Sequence, residues 1–196
     1  MAAIAPPENA WTEWGGDGPV AVFGHANGFP PESYRILFKN LKSSFSIVSF
    51  AARPLWPDSD PRSVGSWHDL ADDLGGEMDR RGMTAAVGIG HSLGSVLNIL
   101  ATAADPRRFR ALVMVDPVVF SGVQRLFWGL FKGLGLGPRL PLIRGARKRR
   151  EVFTSLDEVR RSYSSKSVFA TWDQRVLGDY VGAAFREMES GSVRLR

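Results

Sequence analysis

The sequence predicts an α/β protein in which a mostly parallel sheet carries helices on both faces. Two observations support this fold class: short apolar runs recur along the chain, and segments with helical periodicity separate them. The apolar runs span residues 19–24, 45–51, 84–89 and 111–115, and the clearest helical segments span residues 63–81 and 95–104. Buried parallel strands joined by crossover helices have this alternation.

Composition agrees with a globular α/β chain. Of 196 residues, 44% are hydrophobic and 23% are charged, which is close to the average for globular domains. No apolar run reaches the roughly 18 residues of a membrane-spanning helix, and the N-terminus lacks the features of a secretory signal, so we expect a cytoplasmic protein. The sequence contains no cysteine, which excludes disulfides, thiolate catalysis and cysteine-based zinc sites.

A Gly-His-Ser-Leu-Gly pentapeptide at residues 90–94 is the strongest functional signal. An apolar run precedes it and a helical segment follows it, which is the context of a nucleophile elbow, a sharp turn that presents a serine above the sheet. Gly90 and Gly94 lack side chains where such a turn crowds the strand against the helix. A chance pentapeptide is the alternative, but the flanking segments favour Ser92 as a nucleophile.

A second motif follows the first apolar run. Residues 25–30 read His-Ala-Asn-Gly-Phe-Pro and form a predicted loop before a helix that starts near Pro31. The backbone N–H of Leu93, together with that of Asn27 or Ala26, is predicted to form an oxyanion hole. We interpret His25 as a residue that holds the loop by hydrogen bonds and not as a base.

These motifs, taken in order, resemble the α/β-hydrolase family. The resemblance covers about residues 15–118 and rests on residues 25–30, 53–57, 66–74, 90–94 and 112–117. It implies an α/β-hydrolase fold, an eight-stranded, mostly parallel sheet with a helical cap inserted after the sixth strand. On this basis residues 1–14 are an N-terminal arm, residues 15–119 are the core and residues 120–196 are the cap, and the last strands are absent from the chain.

The resemblance also implies a catalytic triad in the chain order serine, carboxylate, histidine. The three histidines are His25, His68 and His91, and none follows Ser92. The sequence therefore predicts a nucleophile whose base is a histidine outside this chain. Asp116, at the end of the last apolar run, is either the triad acid or a carboxylate that fixes its loop, and both interpretations stay open.

The composition changes beyond residue 120. Residues 124–136 are apolar and aromatic, and five basic residues follow between positions 144 and 150. Phe127, Trp128 and Phe131 are predicted to line a substrate pocket under a lid, together with Phe29 and His91 from the two motifs. A membrane-surface segment and an amphipathic cap that only packs on the sheet are the alternatives.

The predicted function is hydrolysis of a small or medium apolar carboxylic ester through an acyl-enzyme on Ser92. C–C bond hydrolysis, cofactor-free perhydrolysis and a non-catalytic binding or scaffold role stay open. We expect no cofactor and no metal, because Asp69, Asp72 and Asp73 are interpreted as the solvated face of a helix. The net charge of +5 comes without a nucleic-acid recognition motif, so a small apolar molecule is the expected partner, membrane binding is disfavoured and the oligomeric state is open.

Overall fold

The computed structural model describes residues 6–57, 59–119, 122 and 150–195. A five-stranded sheet with the strand order β1-β3-β2-β4-β5 forms its centre. The strands are β1 (Trp11–Gly15), β2 (Val20–Gly24), β3 (Ser46–Phe50), β4 (Ala86–His91) and β5 (Phe109–Val115). Strands β2 to β5 pair in parallel, and β1 runs antiparallel to β3. The prediction of an α/β fold with a mostly parallel sheet is confirmed.

Helices cover both faces of this sheet. A 3-10 turn, Pro31–Tyr34, leads into α1 (Arg35–Leu41), and α2 (Trp67–Arg80) and α3 (Leu93–Ala104) follow. Helices α2 and α3 pack into one apolar cluster and Phe38 of α1 packs into another, so the sheet is buried on each side. Trp67, in the first turn of α2, is exposed at 38%, whereas Leu70, Leu74 and Met78 on the same helix are buried.

The N-terminal segment differs from the prediction. Residues 1–14 were expected to be a loose arm, but the segment from Trp11 onward forms β1 and pairs with β3. Ala10 and Trp11 are buried, and the Trp14 indole N–H donates to the Ser49 hydroxyl at 2.8 Å. Because β1 is an edge strand, it contains the polar residues Thr12 and Glu13. They interrupt the apolar pattern by which a strand is predicted from sequence, so β1 was missed.

Residues 150–195 form a second layer with a core of its own. This layer contains α4 (Leu156–Ser164), α5 (Gln174–Ala184) and a small antiparallel sheet with the order β6-β8-β7, where β6 is Val152–Phe153, β7 is Phe185–Glu187 and β8 is Val193–Leu195. One face of the small sheet is buried against the two helices. The cap predicted over residues 120–196 is therefore not purely helical in its described part, because β7 and β8 form a hairpin.

A buried ion pair holds the loop after β3. The Arg53 guanidinium donates to both carboxylate oxygens of Asp73 on α2, at 2.9 and 2.6 Å, and also to the Ser63 carbonyl at 2.7 Å. Asp73 was expected on a solvated face, but it is buried because it pairs with Arg53. Among the described residues, no group of acidic, histidine or cysteine side chains could hold a metal ion, and no helix is long and apolar enough to cross a membrane.

Strand β5 presents an apolar edge. In the part of the chain that the structure describes it pairs only with β4. Val113, Met114 and Val115 are each about half exposed, at 50%, 48% and 49%. An unpaired strand edge with apolar side chains is a surface that recruits other strands.

Candidate active site

Ser92 lies on a sharp turn between β4 and α3. Strand β4 ends at His91, α3 begins at Leu93, and Ser92 between them has φ 51° and ψ −114°. The Ser92 N–H donates to the Val115 carbonyl of β5 at 2.9 Å, which anchors the turn to the neighbouring strand. A non-glycine residue with positive φ stores of the order of 1–3 kcal/mol of strain, and such strain is typical of functional turns. This is the backbone geometry expected of a nucleophile elbow.

Three glycines make room for the turn. A Cβ on Gly94 would lie 2.1 Å from the carbonyl oxygen of Gly24 on β2, and a Cβ on Gly90 would lie 2.5 Å from the backbone of Ser95. Both distances are far inside van der Waals contact, and the atoms met are backbone atoms that cannot rotate away. The glycines of the pentapeptide and Gly24 are thus required by the close approach of β2, β4 and α3.

The candidate oxyanion donors differ in their hydrogen bonding. Leu93 is the first residue of α3, so its N–H has no acceptor within the helix. The Ala26 N–H, in contrast, already donates to the Tyr34 hydroxyl at 3.1 Å. Asn27 is exposed at the same loop, and no described residue accepts a hydrogen bond from its N–H. The geometry favours Leu93 and Asn27 over Ala26 as the pair of donors.

His25 is held as a neutral ring by its two hydrogen bonds. Its Nδ1–H donates to the Ala26 carbonyl at 2.8 Å, and its Nε2 accepts from the Ala52 N–H at 2.9 Å. Burial lowers the pKa of His25, which a hydrogen bond to the Ala26 carbonyl and the charge of Glu32 only partly oppose. Both ring nitrogens are occupied, so His25 ties the loop after β2 to the loop after β3, in agreement with its predicted role.

Tyr34 links the loop to the residue before the nucleophile. Its hydroxyl accepts from the Ala26 N–H and donates to Nδ1 of His91 at 2.8 Å. Burial raises the pKa of Tyr34 to about 12, so this hydroxyl stays protonated. Burial also lowers the pKa of His91, with the charge of Asp116 acting in the opposite direction. Sequence reasoning missed Tyr34, because only folding brings it beside His91.

Asp116 lies next to the elbow. It directly follows Val115, whose carbonyl accepts the Ser92 N–H, and it has φ 46° and an exposed side chain. Its position at the carboxyl end of β5 is the edge at which α/β sheets bind ligands. Within the described part of the chain, no hydrogen bond of the Asp116 carboxylate shows whether it is a triad acid or a residue that fixes its loop. Both interpretations stay proposals.

None of the three histidines hydrogen-bonds to Ser92. His25 uses both of its nitrogens elsewhere, His91 points its Nδ1 at Tyr34, and His68 is exposed in the first turn of α2. In the described residues the Ser92 hydroxyl therefore has no histidine hydrogen-bonded to it as a base. A serine hydroxyl without an adjacent base is a weak nucleophile.

The structure describes two of the predicted substrate-binding residues, Phe29 and His91. Phe29 packs against Tyr180 and Trp172 of the second layer, with ring centroids 5.0 and 5.8 Å apart, so its ring joins the two layers. His91 lies beside the nucleophile and is half buried. The remaining predicted residues, Phe127, Trp128 and Phe131, lie outside the described residues.

Comparison with known proteins gives a family and a set of structural relatives. The profile described as "Alpha/beta hydrolase family" matches residues 21–190. Comparison with curated protein sequences gives no match.

Several solved structures are similar to this chain. The crystal structure of E-2-(acetamidomethylene)succinate hydrolase has a TM-score of 0.71 at 19% identity, covering 94% of this chain and 63% of that one. An alpha/beta hydrolase from Novosphingobium aromaticivorans has a TM-score of 0.70 at 22% identity, with 94% and 62% covered. An M. tuberculosis esterase has a TM-score of 0.68 at 19% identity, with 94% and 60% covered. At these identities the likeness concerns the fold, and the chain spans less than two thirds of each relative.

Proposed function

The chain belongs to the alpha/beta hydrolase family, and from that premise we propose that it carries the nucleophile of a serine hydrolase. The single observation that carries the proposal is the positive-φ Ser92 between β4 and α3, beside the N–H of Leu93, which has no acceptor within its helix. A turn of this strain at the carboxyl edge of a parallel sheet has a direct catalytic use, since it aims a hydroxyl at a bound carbonyl.

The proposed reaction is the hydrolysis of a carboxylic ester in two steps. The Ser92 Oγ attacks the ester carbonyl, a base takes the serine proton, and the resulting oxyanion accepts hydrogen bonds from the N–H groups of Leu93 and Asn27. Collapse of the tetrahedral intermediate breaks the bond to the alcohol, which leaves with that proton. Water then attacks the acyl-serine by the same route, and the carboxylic acid and free Ser92 are regenerated.

Each part of the proposed machinery has its own support. One backbone donor of an oxyanion hole supplies about 3–4 kcal/mol of transition-state stabilisation, and the hydrogen bonds of His25 and Tyr34 hold the loop that presents Asn27. The base in the proposal is a histidine outside these 196 residues, because His25 and His91 hydrogen-bond to other groups and no hydrogen bond among the described residues joins His68 to Ser92. Asp116 is the proposed candidate for the triad acid within this chain.

The proposed substrate is a small or medium ester with an apolar body. The aromatic and apolar segment at residues 124–136 supports this class, since lids of such composition cover hydrophobic acyl pockets. An esterase is among the structural relatives, in agreement with the proposal. A cytoplasmic location and a function without cofactor belong to the same proposal.

Labelling with a fluorophosphonate tests the nucleophile. We expect slow labelling of the 196-residue chain, because an elbow and oxyanion hole without a base retain only about a thousandfold effect over water. Ser92→Ala should abolish labelling, whereas Ser44→Ala, at an exposed position away from the elbow, should leave it unchanged. Labelling that survives in Ser92→Ala would contradict the assignment of the nucleophile.

A second measurement tests the missing base. Extension of the chain with a C-terminal segment that carries a histidine should give fast labelling and turnover of short-chain aryl esters. Rapid turnover by the 196-residue chain alone would mean that His25, His68 or His91 acts as the base. Failure of the extended chain to turn over any ester would favour the non-catalytic alternative. That alternative is a specific competitor because no described histidine hydrogen-bonds to Ser92.

A further inference from the structure

A groove lies between the loop after β3 and the outer face of the small sheet. Its volume is about 690 Å³, and it is lined by Pro54–Pro57 on one side and by Glu151, Arg186 and Arg194 on the other. Among the described residues, Ser92, Asp116, Phe29 and His91, which were predicted for the catalytic and substrate-binding site, do not line it.

The outer face of the small sheet brings two arginines together. Arg186 on β7 lies directly opposite Arg194 on β8, so their side chains leave the same face of the sheet. Like charges at such a position destabilise a strand pair. Arg194 has the carboxylate of Glu151 at 3.3 Å, whereas no acidic side chain among the described residues pairs with Arg186. The groove thus holds two guanidinium groups against one described carboxylate.

The opposite wall of the groove combines the apolar residues 54–57 with the polar Asn9 and Ser59, and its apolar part is held in place. The Trp56 indole N–H donates to the Ala51 carbonyl at 2.6 Å, and the same loop is anchored by the buried pair of Arg53 and Asp73. Pro54 and Pro57 restrict the backbone on either side of Leu55 and Trp56. A preformed apolar wall lowers the entropic cost of binding a hydrocarbon body.

The groove lies at the same edge of the sheet as Ser92. The loop of Trp56 begins at the carboxyl end of β3, and β2 separates β3 from β4. Because neighbouring strands lie about 4.8 Å apart, the start of this loop is about 10 Å along the sheet from the nucleophile strand. The carboxyl edge of the strands is where α/β sheets bind their ligands.

We propose that the groove is a binding site for a monoanionic carboxylate on an apolar body, with Arg186 and Arg194 holding the carboxylate and Leu55 and Trp56 contacting the hydrocarbon. Paired guanidinium groups bind a carboxylate through bidentate, charge-assisted hydrogen bonds. Among the described residues the groove has one guanidinium group more than it has carboxylates, which matches a monoanion better than a dianionic phosphate. This binding does not depend on the proposed ester hydrolysis.

Titration calorimetry with octanoate tests the site. The Ser92→Ala chain is used throughout, so that the proposed hydrolysis cannot contribute to the measured heat. We expect saturable binding with one site per chain that weakens as salt is raised. Octanamide, which is neutral, should bind at least about tenfold more weakly, since a charge-assisted hydrogen bond is worth that factor or more.

Matched variants separate the arginine pair from general charge. Arg186→Gln should weaken octanoate about tenfold or more, and Arg186→Lys should have an intermediate effect because the bidentate contact is lost while the charge is kept. Arg175→Gln is the control, since Arg175 is exposed on α5 and pairs with Asp173. Equal binding of octanoate and octanamide, no effect of Arg186→Gln in a chain with unchanged circular dichroism, or tighter binding of octyl phosphate would each overturn the proposal.

Discussion

Ser92 keeps a backbone with positive φ because a hydrogen bond and close packing hold the turn around it. Its N–H is bonded to Val115, and Gly24 and Gly94 let β2 and α3 approach within a distance that no side chain would permit. The strain is thus balanced by packing and hydrogen bonds around the turn. Substitutions at these glycines should be felt both in stability and in the position of Ser92.

Gly94→Ala is expected to lower the free energy of unfolding by about 3 kcal/mol or more, because its new methyl group would meet the Gly24 backbone. Gly76→Ala is the control: Gly76 lies in α2, a Cβ there meets nothing within 4 Å, and alanine should stabilise the helix by up to about 1 kcal/mol. Urea denaturation of both variants measures the difference. Equal stability of the two would show that the elbow relaxes more easily than its geometry indicates.

His25 should make the stability of the fold depend on pH. Burial lowers its pKa in the folded chain below the value of about 6.5 in the unfolded chain. Between these two values the unfolded chain binds more protons, so the free energy of unfolding should fall by up to about 1.4 kcal/mol per unit as the pH is lowered below 6.5.

The slope of unfolding free energy between pH 7.5 and 5.5 measures this effect. It should be smaller in His25→Asn than in the original chain, with a remainder from His91, whose pKa burial also lowers. His68→Asn, the same substitution at an exposed position, is the control. A slope that His25→Asn leaves unchanged would contradict the neutral, doubly bonded ring.

At the scale of elements, each strand's neighbours explain its composition. Strands β2 and β4 are central, and their residues are almost all buried. Strand β1 is an edge strand whose exposed residues are Glu13 and Gly15. Strand β5 is an edge strand within the described residues, and apart from Arg110 its exposed residues are apolar. Only the second kind of edge favours pairing with another chain.

We expect the 196-residue chain to self-associate through β5. Met114→Lys should reduce the associated fraction, because an edge lysine opposes pairing with another strand. Val168→Lys is the control, as Val168 is the more exposed residue at 66% but lies outside any strand. Size-exclusion chromatography with light scattering measures the fraction. A monomeric original chain with a sharp, cooperative melt would argue against an aggregating edge.

At the scale of the whole molecule, two layers with separate cores meet at the functional edge of the sheet. Helix α5 packs on the 3-10 turn at Pro31–Tyr34, and Phe29 inserts its ring beside Tyr180. The loop that carries Asn27 is therefore held from both layers. This arrangement makes the described part of residues 150–195 a support of the loop at the candidate site.

The net charge of +5 should not produce membrane binding. Several described arginines are neutralised locally, among them Arg62, Arg107, Arg150 and Arg175, each paired with an acidic residue. We expect the chain to stay in the supernatant when anionic liposomes are sedimented at low salt. Co-sedimentation that high salt reverses would instead assign the basic segment at residues 144–150 to a lipid surface.

Short-range patterns of the sequence were enough for the parallel strands, for α2 and α3, and for the elbow and the loop at residues 25–30. An apolar run, a helical period and a glycine at a crowded turn are each dictated by neighbours within a few residues. The same patterns carried the prediction of Ser92 as the nucleophile, because an elbow needs a strand before it and a helix after it, and that role stays a proposal.

The long-range contacts came only with the tertiary structure. Tyr34 occupies the Ala26 N–H and reaches His91, which is 57 positions away, and Asp73 is buried by Arg53, 20 positions away. The pairing of Arg186 with Arg194 depends on the register of a hairpin. Such contacts depend on how the layers pack and how the strands align. A hydrogen-bond donor far along the chain produces no pattern in the sequence around its acceptor, so these contacts could not be predicted.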